Sequence, residues 1–96
     1  MCKAANEAMD LLVKALVAIE SEEECKSFLE DLMTKKEMMD MAQRLLVAKL
    51  LSEQTVYTKI VAETGASTAT ISRVKRCRDY GEGGYDAILS KMNKEA

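Results

Sequence analysis

Thr68, Ala69, Ser72, Arg73 and Arg76 recur at helical spacing, so on a helix they share the face opposite Ile71 and Val74. Hydroxyls, a methyl and two guanidinium groups on one face can meet base edges and phosphates from within a DNA major groove. The small side chains allow close approach, and the arginines supply the charge.

Such a face needs elements that aim it. The run Tyr57 to Arg78, YTKIVAETGASTATISRVKRCR, gives a short helical pattern, a Gly-Ala-Ser break and a second, basic helical pattern. It reads as a helix-turn-helix. Ile60, Val61 and Thr64 are expected to turn inward on its first helix, capped by Thr55. Gly65 can take the left-handed backbone of a tight turn, and Ser67 can cap the second helix. Thr58 and Thr70 complete the polar surface, and the whole head covers residues 56–79. The same pattern also suits a helical hairpin turned to protein contacts, such as an adaptor on another regulator.

Charge is distributed unevenly. The 96 residues carry 14 Lys or Arg and 16 Asp or Glu, a net of -2 that argues against a general nucleic-acid coat protein. Residues 1–32 hold three Lys against eight acids, whereas 56–80 hold Lys59, Arg73, Lys75, Arg76 and Arg78 against Glu63 and Asp79. Positive charge therefore collects where the motif lies.

Other chemistries find little support. Histidine is absent, and Cys2, Cys25 and Cys77 have no metal-ligand spacing, so neither a metal centre nor a disulfide framework is expected. No cofactor is expected, and no acid, base and nucleophile stand at a spacing that would make an enzyme. Gly81-Glu82-Gly83-Gly84 follows a helical pattern and lacks a Gly-Lys-Ser/Thr ending, so it reads as a turn rather than a phosphate loop. Lys14 interrupts the longest apolar run, which leaves no membrane span, and the chain is expected in a reducing cytoplasm. Cys77, between Arg76 and Arg78, is expected as a partly buried thiol, with a redox role as the alternative.

Proline is absent and β-branched alternation is missing, so the chain reads as all-α. A first helix spans about 5–20, with Ala8, Met9, Leu12, Leu16 and Ile19 on one side and Val13 and Val17 widening the stripe. Two apolar faces on one helix are more than so small a monomer can cover. Ser21 and Glu24 have capping-box spacing and start a second helix over 22–33, burying Phe28, Leu29 and Leu32. Thr34 and Glu37 repeat that spacing before a third helix over 35–51, whose apolar surface is Met38, Met41, Ala42, Leu45, Leu46 and Leu50. Helices over 56–64, 68–79 and 85–93 follow, and residues 94–96 are expected to fray. The chain reads as a single domain over 1–96.

Thr34-Lys-Lys-Glu37, Arg44 with the apolar run to Leu51, and Gly65-Ala-Ser-Thr-Ala-Thr-Ile-Ser-Arg73 together resemble the Trp repressor-like family. Tyr80-Gly-Glu-Gly-Gly-Tyr85 and the short helix after it are more similar to the YerC/YecD branch than to the tryptophan-operon repressor. The resemblance covers about residues 5–93. It implies a six-helix chain intertwined with its twin as a homodimer, with 5–51 and 85–93 forming the shared core. Two heads would then read half-sites about one helical turn apart.

The resemblance further implies a sequence-specific regulator of double-stranded DNA, a repressor by family habit. Thr58, Ser67, Thr68, Ala69, Thr70 and Ser72 match its DNA-approaching positions. Arg73 and Arg76 join them from the basic face. Thr34, Arg44 and Arg73 match positions that hold a small-molecule corepressor, with the arginines flanking the ligand. Val74 stands where the tryptophan-operon repressor has glycine, which argues against tryptophan as that ligand. A small-molecule-responsive sensor remains the alternative reading.

Overall fold

The computed structural model describes residues 3–95 as six helices, with no strand among the described residues: α1 (Lys3–Ala18), α2 (Glu22–Leu32), α3 (Lys35–Ser52), α4 (Tyr57–Thr64), α5 (Thr68–Tyr80) and α6 (Gly84–Glu95). They fall into two compact units, one holding α1 and α2 up to Lys35 and the other beginning at Lys36. Among the described residues no helix is long and apolar enough to cross a membrane. Cys2 and Ala96 lie outside the described residues. Lys94 and Glu95, expected to fray, continue α6.

In the first unit, Ser21 caps α2 as its spacing predicts. Its hydroxyl accepts from the Glu24 amide at 3.1 Å, and Glu24 Oε1 reaches back to accept from the Glu20 amide at 3.0 Å. Two otherwise unpartnered donors are satisfied, and Glu22, Glu23 and Glu24 oppose the positive end of the helix. Phe28 and Leu29 are half-buried, but Leu32, expected inside, is exposed. Leu12 and Ala15 of α1, and Ile19 just beyond its end, are half-buried, while Met9, Val13, Leu16 and Val17 of α1 are exposed. Met9 and Leu16, expected on the inward side of α1, are thus exposed along with Val13 and Val17, which widen the stripe.

The second unit is built around one core. Val47, Ala48 and Leu50 of α3 meet Ile60 of α4, Ala66 of the following turn, Ile71 and Val74 of α5, and Leu89 of α6, with Leu51 and Tyr85 packed against them. Ile60, Ile71 and Val74 are where their spacing placed them. Of the apolar surface expected on α3, Leu50 is buried in this core, whereas Met41, Leu45 and Leu46 are exposed on the single chain. Helix α3 turns Val47 and Ala48 inward, at 0% exposure. Val61 also departs from expectation: it neighbours Ile60 in sequence, about 100° round the helix, and lies exposed.

The α3–α4 junction corrects the expected Thr55 cap. Val56 occupies the N-cap position of α4 with no side-chain cap hydrogen bond. Thr55 is used as a backbone donor, its amide bonding the Leu50 carbonyl at 3.0 Å beside the Gln54 amide to Leu51 at 3.0 Å. Gln54, at φ 60°, takes the left-handed conformation that closes α3.

Candidate nucleic-acid interface

Three residues separate α4 from α5, and each has a defined task. Gly65, at φ 72°, ends α4 in the left-handed region, its amide bonding the Val61 carbonyl at 2.9 Å. Ala66 is buried in the core. Ser67 caps α5, its hydroxyl accepting from the Thr70 amide at 3.1 Å and donating to the Thr70 hydroxyl at 3.1 Å.

Thr64 organises the near side of the same turn. Its hydroxyl donates to the Ile60 carbonyl at 2.7 Å and accepts from the Ala66 amide at 3.0 Å. From α3, Gln43 Nε2 donates to the Thr64 carbonyl at 3.2 Å. Sequence reasoning missed Gln43, because a side-chain bond across 21 positions leaves no local pattern.

With Ile71 and Val74 buried, α5 presents Thr68, Ala69, Ser72, Arg73 and Arg76 to solvent, as their spacing predicts. Thr58 is exposed on the first turn of α4. Thr70 is half-buried, and both it and Ser67 are engaged in the cap. These two hydroxyls set the start of α5 as well as lying on its surface.

The basic residues of this region divide into two groups. Lys59 pairs with Glu63 at 3.8 Å, Lys75 with Asp79 at 2.7 Å, and Arg78 donates through Nε and Nη2 to Asp86 Oδ1 at 3.0 and 2.9 Å. Among the described residues, Arg73 and Arg76 have no carboxylate partner. The hydrogen bond and then the charge of Asp79 raise the Lys75 ammonium above its ordinary pKa.

A polar cleft of about 240 Å³ lies between α3 and α5, lined by Asp40, Gln43, Arg44, Thr70, Arg73 and Val74. It brings the expected ligand residues Arg44 and Arg73 together over the buried Val74. Thr34, the third of them, immediately precedes α3 and belongs to the first unit. Asp40 adds a carboxylate to this cleft, and Lys36 pairs with it at 3.2 Å.

Cys77 does not pack as a partly buried thiol. It is exposed at the edge of a shallow apolar groove of about 570 Å³ with Leu45, Gly81, Tyr85 and Ile88. It lies where α5 ends, since the Gly81 amide caps the helix by bonding the Cys77 carbonyl at 2.8 Å. Among the described residues no group of His, Cys, Asp and Glu could hold a metal ion.

Comparison with known proteins agrees with this architecture. The chain is 45% identical over 92 residues to the uncharacterized protein YerC of Bacillus subtilis (strain 168), covering 96% of this chain and 88% of that protein. Its structure is similar to the crystal structure of a candidate Trp repressor from Staphylococcus aureus, with a TM-score of 0.87 and 42% identity over 97% of this chain and 96% of that one. A TrpR-like protein from Eubacterium eligens also matches, at a TM-score of 0.87 and 40% identity over 91% of this chain and 90% of that one. The family model for the Trp repressor protein matches residues 7–93, and the chain belongs to that family.

Proposed function

We propose that this protein is a homodimeric, sequence-specific regulator of transcription that reads double-stranded DNA with α5. The observation that carries the reading is the state of Arg73 and Arg76. They are the two cations of the head without a carboxylate partner among the described residues, and they share an exposed face with Thr68, Ala69 and Ser72. Unpaired guanidinium groups on a face of small donors suit phosphate and guanine contacts, and the family membership supports the same reading.

A homodimer with 5–51 and 85–93 in its core accounts for the apolar surface that one chain leaves open. Leu11, Val13 and Val17 of α1, Met39 and Met41 of α3, and Ile88 and Met92 of α6 are all exposed. A soluble monomer rarely shows so many large apolar side chains without a partner. Paired heads would read a two-fold symmetric operator, with repression as the family's expected sign of regulation.

Titration of labelled duplex at low salt tests the DNA reading. Wild type should bind in a salt-sensitive manner, and Arg73→Ala with Arg76→Ala should weaken binding and flatten its salt dependence. Unchanged affinity in that double variant would contradict the assignment.

The cleft over Val74 favours a second role, small-molecule control through Arg44 and Arg73. Two guanidinium groups suit an anionic group on the ligand, and Asp40 suits a cationic one. Val74 fills the floor, so tryptophan should leave the melting temperature unchanged, while a smaller charged effector would raise it.

A further inference from the structure

A second polar cleft, of about 250 Å³, lies between α4 and α5 and is lined by Tyr57, Ser72, Lys75, Arg76, Asp79 and Tyr80. Thr68, Ser72 and Arg76 are spaced four residues apart on α5 and therefore share a face. If the first turn of α5 enters a groove, Ser72 and Arg76 follow one and two turns behind, where the bordering strand passes. Their hydroxyl and guanidinium, with the Tyr57 phenol, are donors suited to a tetrahedral oxyanion.

Asp79 does not fit a simple phosphate seat. A carboxylate beside a phosphate repels it, yet Asp79 lines the cleft and holds Lys75 Nζ at 2.7 Å. The pair is half-exposed, with side-chain accessibilities of 51% for Lys75 and 40% for Asp79. One cation of the cleft, Arg76, is therefore available, and the other is already neutralised. An exposed pair four residues apart adds little to helix stability, so the fold gives weak reason for it.

We infer that this cleft seats a backbone phosphate of duplex DNA, and that Asp79 lowers the non-specific grip of the head by keeping Lys75 from that phosphate. The inference rests on the DNA reading proposed above. The occupant is a polymer phosphate rather than a free anion. The cleft is open and its cations are exposed to solvent, so only a phosphate delivered by contacts elsewhere on the duplex is held there. Holding one cation in reserve favours specificity, because the phosphate contribution is the same on every sequence.

The test uses the full chain and four proteins: wild type, Asp79→Asn, Lys75→Gln and the double variant. Each is titrated with one arbitrary labelled duplex across a salt series, and circular dichroism checks that the helices are retained. Asp79→Asn should steepen the slope of log affinity against log salt by about one, the signature of one added phosphate contact. Lys75→Gln should be no steeper than wild type, and the double variant should return to the wild-type slope. An unchanged slope in Asp79→Asn, or steepening that survives in the double variant, would overturn the role of the pair. Absence of salt-sensitive binding by wild type on any duplex would instead remove the DNA reading itself.

Discussion

Gln43 Nε2 donates to the Thr64 carbonyl oxygen at 3.2 Å, tying α3 to the last residue of α4. That carbonyl belongs to the final turn of a helix, where backbone acceptors lack intrahelical donors. The bond fixes the α4–α5 turn to the helix that supplies Val47, Ala48 and Leu50 to the core. The aim of α5 is thus set by a polar contact as well as by packing.

Replacing Gln43 with Leu should remove the partner of that carbonyl and destabilise the second unit by about 1 kcal/mol. Hydrogen exchange at the amides of Gly65 and Ala66 should accelerate with it, since both bond to residues of the same turn. Denaturant unfolding and amide exchange measure the two effects.

Gly65 and Gly81 should fail for different reasons when given a side chain. At Gly65 an added Cβ meets nothing within 4 Å, so the cost of Gly65→Ala is that of holding φ 72°, about 1 kcal/mol. At Gly81 the backbone is an ordinary extended one, but a Cβ would collide with the Cys77 carbonyl. Gly81→Ala should therefore shift the end of α5 and the start of α6. Amide chemical shifts should change locally for Gly65→Ala and across both helices for Gly81→Ala.

Ser67→Ala should cost about 1 kcal/mol, because the Thr70 amide loses its acceptor at the start of α5. Ser67→Asp should retain most of the cap, since a carboxylate accepts the same bond. On DNA that variant should bind more weakly than wild type through repulsion, which separates capping from recognition in one residue.

Val74→Ala should destabilise the core by about 2 kcal/mol, given that Val74 is 1% exposed among Ile60, Ile71 and Val47. The same change deepens the cleft between Arg44 and Arg73. Calorimetric unfolding gives the first effect, and a thermal-shift screen of small charged ligands on both proteins gives the second.

The head was the most legible part of the sequence because its signals are local. Gly65, Ser67, Ile71 and Val74 act through backbone conformation, a hydroxyl cap and helical period, all readable within a few residues. Helix α3 was less legible. Leu45 to Leu51 is apolar except at Lys49, so its period does not fix the inward side, and nothing in the sequence singles out Val47 and Ala48 for the core.

Thr55 misled because a threonine before a helix resembles a cap. Its amide instead closes α3, while Gln54 takes a conformation glutamine seldom signals. Of the candidate site, exposure of the α5 face was predictable. Which arginines stay unpaired was not, because Arg78 finds Asp86 across the glycine turn.

Selection of bound sequences from a random duplex library tests the central claim most directly. The expected result is enrichment of one two-fold symmetric motif whose half-sites lie about one helical turn apart, lost when Arg73 and Arg76 are both replaced by Ala. Failure of wild type to enrich any sequence, while the protein still folds and associates, would contradict it.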